Sequence, residues 1–308
     1  MSRPRSRLAD YAVYLIVRVV VCLIQTVSFE RAWSLADYLA WFVYRVDRRH
    51  REVALENLQS AFPNSFTDLE RDALVRSVYA HFCRLLIEII HLPRRLHINN
   101  WQRFLDFAQA KPMVEVLLSD RPLMIVTGHF GNWEMAGYAL GLLGFKTYAV
   151  ARPLDNPYLD DLLLRFRQRT GQKVLAKKGD FAQMRDILAN KGVLTTLADQ
   201  DAGQRGLFVE FFGRPASTHK AIALLALEHG VTLAVAMVRN TGQPMSYCVH
   251  VEDVIRSEEY VQRPDVVRAI TQRFTAALER GIRAAPHQYF WLHRRWKHQP
   301  SKPKRRAA

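Results

Sequence analysis

The residues best placed by type and spacing to do chemistry are His129 and Glu134, in the stretch Val126-Thr127-Gly128-His129-Phe130-Gly131-Asn132-Trp133-Glu134. Pro122 to Thr127 is a short apolar run rich in branched residues, Gly128 and Gly131 loosen the backbone, and Trp133 to Leu143 returns to helical apolar spacing. The stretch therefore reads as strand, turn, helix, with His129 at the corner. On one continuous helix the two side chains would point roughly 140° apart. They meet only if His129 precedes the helix. In that geometry Glu134 holds one imidazole nitrogen while the other faces a cleft, an arrangement that makes histidine a better general base. On the residues alone a second reading stays open, a core histidine beside a helix-capping acid.

The elements that must position this pair follow from the hydrophobic pattern. Pro122 to Thr127, Lys146 to Ala151, Gly192 to Ala198, Thr232 to Val238 and Ser246 to Val254 read as strands. Between them, helical spacing covers Pro157 to Arg169, Phe181 to Asn190, His219 to His229 and the longer Pro264 to Arg283. This alternation predicts an α/β fold, a mostly parallel central sheet flanked by helices. In such sheets the ligand cleft lies outside the carboxyl ends of the strands. His129, Arg152, Asp199 and Arg239 each fall just after or at the end of a predicted strand, so one rim collects four polar residues. A reversed strand would move its residue to the other rim, and Arg239 is the one most at risk.

Two further stretches carry candidate binding groups. Arg152-Pro153-Leu154-Asp155-Asn156-Pro157 follows a strand and opens a helix, with Asp155 or Asn156 as cap and Pro157 in the first turn. A guanidinium there suits a phosphate or a developing oxyanion, and equally a surface pair with Asp155. Asp199-Gln200-Asp201, followed by Phe211-Phe212-Gly213-Arg214-Pro215-Ala216-Ser217-Thr218, predicts a proline-fixed loop entering a helix at Thr218, with backbone N–H groups toward the cleft. No G-x-S-x-G elbow, P-loop or H-E-x-x-H occurs, so neither a serine nucleophile, nor nucleotide chemistry, nor a zincin site is indicated.

The 308 residues carry a formal net charge of +15, which points to anionic partners. Cys22, Cys83 and Cys248 lie far apart and suggest neither a disulfide framework nor a zinc site. Arg3, Arg5 and Arg7 precede an apolar run from Tyr11 to Val27, interrupted by Arg18 and Gln25. This predicts an uncleaved anchor, tilted or interfacial, separable from the catalytic fold; a buried helix of a soluble bundle is the other reading. Trp33 to Arg45 continues aromatic, and Thr67-x-x-Glu70 forms a capping box ahead of a long helix ending near Pro93. In Trp291-Leu292-His293-Arg294-Arg295-Trp296-Lys297, basic and aromatic residues interleave, as suits nucleic-acid bases or, with a hydrophobic N-terminus in the same chain, an anionic headgroup layer. Lys302, Lys304, Arg305 and Arg306 extend it into a basic tail.

Gly128-His129-Phe130-Gly131-Asn132-Trp133-Glu134 resembles the H-x4-E signature of the bacterial lipid A biosynthesis acyltransferases, the late lauroyl and myristoyl transferases of the lysophospholipid acyltransferase superfamily. The R-x-x-x-N-P context of Arg152, the Asp199-Gln200 segment, the F-x-G-x-P-A-x-T loop and the closing W-x-H-R-R-W-K are similar to the same family, over roughly Asn57 to Lys297. The resemblance implies a glycerolipid acyltransferase-like fold with an N-terminal membrane anchor over 1–29, a helical membrane-proximal segment over 30–100, an α/β core over 101–298 and a basic tail over 299–308. It implies direct acyl transfer from acyl carrier protein or acyl-CoA to a glycolipid hydroxyl, with catalytic His129 and Glu134 and substrate-binding Asn132, Arg152, Asp199, Gln200 and Arg214. It further implies the cytoplasmic side of the bacterial inner membrane with its anionic lipids, no nucleic-acid partner, no metal and no cofactor. Glycerophospholipid, aminolipid and mannosylated inositol lipid acceptors remain alternatives, as does a basic membrane or nucleic-acid-binding protein without catalysis.

Overall fold

The computed structural model describes residues 6–119, 121–176, 181–260 and 262–300. The tail residues Lys302, Lys304, Arg305 and Arg306 and the flanking Arg3 and Arg5 lie outside them. Four helices come first: α1 (Arg7–Thr26), α2 (Phe29–Val46), α3 (Arg48–Ala61) and α4 (Asp68–Arg95). Ser6, Ser28, Asp47 and Thr67 cap them in turn, and at α4 Thr67 and Glu70 close the expected capping box.

The α/β part follows as β1 (Leu105–Asp106), α5 (Lys111–Leu117), β2 (Leu123–Thr127), α6 (Trp133–Leu142), β3 (Thr147–Ala151), α7 (Pro157–Gln168), β4 (Lys173–Ala176), α8 (Phe181–Ala189) and β5 (Val193–Leu197). Then come β6 (Leu207–Phe211), β7 (Arg214–Thr218), α9 (Ala221–His229), β8 (Thr232–Asn240), β9 (Tyr247–Arg256) and α10 (Val266–Ala284). Seven strands form one sheet in the order β1-β9-β8-β2-β5-β3-β4. From β8 to β4 every neighbouring pair is parallel, while β9 runs antiparallel to β8. The all-apolar burial of Leu123 to Val126 is what a strand covered on both faces requires.

The expected mostly parallel sheet flanked by helices is what forms. The reversed strand is β9, not β8, so Arg239 keeps its place at the carboxyl end of a strand parallel to β2. One local expectation is overturned. Phe211 to Thr218 is not a loop but the end of β6, the turn and β7 of the antiparallel hairpin β6–β7, turned by Phe212 and Gly213, whose positive φ values of 52° and 70° suit a two-residue primed turn. Pro215 sits at the exposed start of β7, where its missing N–H does no damage.

The helix α1 is not a detached anchor. Tyr11 and Tyr14 pack on Tyr158 of α7, Asn156 at the cap of α7 donates to the Asp10 carbonyl at 2.8 Å, and Arg94 donates to the Gln25 carbonyl at 2.8 Å. Its other side leaves Leu8, Ile16, Val19 and Leu23 more than half exposed, and α2 adds Leu35, Tyr38, Trp41 and Phe42. By length and composition α1 is apolar enough to cross a membrane.

Candidate active site

The corner after β2 is built by close backbone approach. Gly131 has φ +56°, and a Cβ on it would fall 1.5 Å from the Val238 carbonyl oxygen of β8, so no larger residue fits. A Cβ on Gly128 would meet Asp199 Cβ and Cγ at 3.3 Å, which explains a small residue where Asp199 presses against the chain. Asn132 caps α6, its Oδ1 accepting from Met135 N at 2.9 Å, and its Nδ2 donates to Glu88 of α4 at 2.8 Å. Glu88 is fully buried and also accepts from Met245 N at 2.7 Å and Tyr247 Oη at 2.6 Å, tying α4 to the sheet and the corner.

His129 does precede the helix, but the carboxylate bound to its ring is that of Asp199. His129 Nδ1 lies 2.9 Å from Asp199 Oδ1, and the His129 backbone N–H donates to Oδ2 at 3.0 Å. Both oxygens of a fully buried carboxylate thus clamp one residue. Burial alone would raise the Asp199 carboxyl, but the charge and hydrogen bonds of His129 outweigh it and hold the group well below the usual carboxylate range. Burial alone would lower the imidazole, and Asp199 outweighs it in turn, so His129 titrates above the ordinary histidine value. With Nδ1–H donated to Asp199, Nε2 keeps the lone pair, and the imidazole ring lies beside those of Trp133 and Phe290, with centroids 5.1 and 6.1 Å away.

Glu134 makes a different bond from the one its spacing suggests. Its carboxylate accepts Arg167 Nε at 2.9 Å, Arg167 Nη2, and Trp133 Nε1 at 3.1 Å. It acts on His129 only through its charge, which raises the imidazole pKa. The physical reason is reach: from the first turn of α6, Glu134 meets α7, while β5, the direct neighbour of β2, delivers Asp199.

The other expected binding residues are not gathered at the histidine. Arg152 is on the same rim but 79% exposed, paired at 3.1 Å with Asp155, the surface alternative. Arg239 reaches Glu252 at 3.7 Å, Gln200 is exposed beside Asp199, and Arg214 is exposed on the hairpin over the Trp296 ring. Asn132 has its amide fully engaged in holding the corner. The guanidinium at the corner is instead that of Arg167, mostly buried.

The closing segment is not a surface cluster either. Trp291 and Arg295 are 1% exposed; Arg295 holds the Ser217 carbonyl at 2.6 Å and Thr218 Oγ1 at 2.8 Å, and His293 Nε2 lies 3.3 Å from the Asp199 carbonyl. Asn57 of α3 donates to the carbonyls of Trp291 and His293, each at 2.7 Å, so the two terminal thirds of the chain meet behind Asp199. Phe290 N donates to the His129 carbonyl at 2.9 Å. Burial of Trp291 and Arg295 removes them as platforms for bases or headgroups.

A narrow apolar slot of about 100 Å³ runs from this corner between the sheet and α6. Trp133, Glu134 and Arg167 supply its polar end, and Ile125, Leu140, Ala149, Val238 and Met113 line it. Its chemistry suits an alkyl chain. Among the described residues no group of His, Cys, Asp and Glu could hold a metal ion.

Comparison with known proteins identifies the family. The family profile described as bacterial lipid A biosynthesis acyltransferase matches residues 2–298. The chain is similar to the lipid A biosynthesis palmitoleoyltransferase of Escherichia coli (strain K12), 25% identical over 82% of this chain and 80% of that protein. It is also similar to the lipid A biosynthesis lauroyltransferase of the same organism, 25% identical over 91% of this chain and 90% of that protein. The phosphatidylinositol mannoside acyltransferase of Mycolicibacterium smegmatis is 25% identical over 73% of each. With the profile spanning nearly every residue, the chain belongs to the bacterial lipid A biosynthesis acyltransferase family and is an acyltransferase.

Proposed function

We propose that the protein moves a fatty acyl chain from a thioester donor, acyl carrier protein or acyl-CoA, to a hydroxyl of a lipid A precursor or related glycolipid. His129 Nε2 takes the hydroxyl proton as the oxygen attacks the thioester carbonyl; the C–S bond then breaks, and the imidazolium returns the proton to the departing thiolate. Ester and free thiol result, with no acyl-enzyme. Asp199 fixes the tautomer and balances the imidazolium. Glu134 is a positioning residue: it holds Arg167 and Trp133 over the mouth of the slot and adds negative charge near the ring. The apolar slot receives the acyl chain, so the thioester carbonyl is delivered at its polar end. The exposed apolar faces of α1 and α2 support a membrane-bound protein, and the +15 charge, suited to anionic lipid, supports a catalytic part on the cytoplasmic side of the bacterial inner membrane.

The observation that carries this reading is the two-oxygen clamp of Asp199 on His129, whose ring packs on Trp133, a residue that lines the apolar slot. The test is mass spectrometry of products formed from acyl carrier protein or CoA thioesters and a lipid A precursor, with wild type and His129→Ala. A mannosylated inositol lipid is assayed in parallel, because relatives named for that acceptor match the chain as well. Acylation of neither acceptor by the wild type would overturn the proposal.

A further inference from the structure

A second cavity, of about 460 Å³, opens on the other side of the catalytic corner, between α2, α4, the β8–β9 turn and the 3-10 turn Pro286–Gln288. His81, Arg84, His287, Gln288 and Trp33 face it. It shares backbone with the corner: His81 Nε2 lies 3.3 Å from the Gly131 carbonyl oxygen, and Gly131 N–H donates to the Gln288 carbonyl at 3.0 Å. Two residues that line it, His81 and Gln288, thus touch the turn that carries His129.

The lining groups share one chemistry. Three side chains that can carry positive charge face one space, and among the described residues the one acid bound to any of them, Asp37, is committed to Arg84 Nε and Nη2 at 2.8 and 2.9 Å. That leaves Arg84 Nη1 for a ligand. His81 Nε2 faces a carbonyl oxygen, so it is the N–H and Nδ1 keeps the lone pair. His287 Nε2 lies 3.3 Å from the Gln288 amide nitrogen, whose N–H it accepts, so its Nδ1 carries hydrogen. Burial drives His81 down to about 4, and the charges of His287 and Arg84 push the same way; burial lowers His287 also. The positive charge pressing on His81 beside an open space is relieved by an anion, and protonating His81 at Nδ1 needs no tautomer exchange. Asp37 and Trp33 belong to α2, whose Leu35, Tyr38, Trp41 and Phe42 form the exposed apolar face, so the cavity lies just beneath the lipid-facing side of the protein.

We propose that this cavity binds a phosphate group carried by the acceptor lipid, with Arg84 and His287 as donors and His81 a third once its Nδ1 takes a proton, and so sets the acceptor against His129. This rests on the acyltransferase reading above and adds a site on the protein for the acceptor's phosphate. The test uses the full chain in detergent micelles, with an acylated glucosamine phosphate and the same lipid after phosphatase treatment.

In turnover, the wild type is expected to show a KM for the phosphorylated lipid lower by roughly tenfold or more, the size of a lost charge-assisted contact. In Arg84→Gln and His287→Gln that preference should collapse toward one, while Arg84→Lys, which keeps the charge, retains part of it. Thermal unfolding identifies any variant lost to misfolding, and His287→Gln, remote from the Asp37 pair, then decides. Binding is scored separately and without donor, by nitrogen-15 histidine shifts on adding each lipid. Shifts of His81 and His287 with the phosphorylated lipid alone support the site even if no acyl transfer is found, and in that case it is the acyltransferase reading that fails. Equal shifts with both lipids, or an unchanged preference in folded His287→Gln, would overturn it. Inorganic phosphate competing as strongly as the lipid would assign the site to the free ion and overturn the headgroup assignment.

Discussion

His129 and Asp199 occupy matching positions on neighbouring parallel strands: Thr127 of β2 is the register partner of Leu197 of β5, and each functional residue stands two places further on. The sheet itself, not a flexible loop, sets their separation. A site on adjacent strand ends is rigid in the way general-base catalysis requires. If His129 is the base, His129→Ala should lower acyl transfer by roughly two to four powers of ten. Asp199→Asn should cost a comparable amount, because an amide that donates to Nδ1 leaves the proton on Nε2. The double variant should be little slower than His129→Ala, since residues acting as one unit are not additive. Single-turnover rates beside melting temperatures check this, and wild-type rates in folded Asp199→Asn would remove Asp199 from the mechanism.

The same pair predicts the pH profile. With neutral His129 as the proposed proton acceptor, its titration held by Asp199 above the ordinary histidine value, kcat/KM should climb with pH and level off only above that value. Asp199→Asn should shift the climb to lower pH while reducing its height. For stability the signs are opposite. The raised His129 contributes fully below its unfolded pKa and loses that contribution as pH rises through the folded one; the depressed Asp199 contributes above its unfolded value of 3.8 and loses it as pH falls. Rate and melting temperature against pH, for both proteins, test the two signs.

Two arginines are separated by their burial. Arg167→Ala leaves Glu134, only 9% exposed, without its cation, a change that typically costs about 3–5 kcal/mol when a buried pair is broken. Arg152→Ala breaks a pair whose side chains are 79% and 66% exposed, where about 0–1 kcal/mol is usual. Arg167→Ala should therefore lower both stability and turnover, and Arg152→Ala should leave stability nearly unchanged. A kinetic cost of Arg152→Ala confined to the KM of an anionic substrate would mark it as a rim contact. Denaturant melts with parallel kinetics separate the cases.

Much of this architecture was legible because it is local. Alternating apolar runs located β2, β3, β5, β8 and β9 to within two residues at nearly every end, and Thr67 with Glu70 announced α4. Strand-end logic also put His129 and Asp199 on one rim. It could not choose the partner of His129, since Glu134 is close in sequence and Asp199 is not, and strand order is a tertiary fact. Arg167 carried no signal among the neighbouring Arg165 and Arg169. Glu88 did carry one: an acid inside Leu85-Leu86-Ile87-Glu88-Ile89-Ile90 must either break the apolar face or be paired within it. The closing segment misled because composition does not report burial.

Glu88 yields a stability prediction of its own. It accepts from Asn132, Met245 and Tyr247, so Glu88→Ala strands three buried donors, each costing about 1–3 kcal/mol. Melting should fall by roughly 5 °C or more for a domain of this size. Activity should fall further than stability alone explains, because Asn132 caps α6 and holds the corner. A variant that melts like wild type would show that water replaces the carboxylate.

The last prediction concerns α1. A detachable anchor could be removed with loss of membrane partition alone. Here α1 covers Tyr158 with Tyr11 and Tyr14, and its Asp10 carbonyl accepts from Asn156, the cap of the helix that brings Arg167 to Glu134. Deleting Met1 to Val27 should therefore reduce turnover as well as membrane binding, even with donor and acceptor both presented in micelles so that partition no longer limits the rate. In the full-length protein, Tyr158→Ala removes the contact while leaving the apolar face of α1 intact. It should retain membrane partition and lose part of the turnover, recovered in Tyr158→Phe, which keeps the ring. Vesicle co-sedimentation and micellar kinetics on the three proteins read the two effects apart. If the truncated protein turns over in micelles as fast as the full chain, α1 is only an anchor and its packing on α7 is without catalytic consequence.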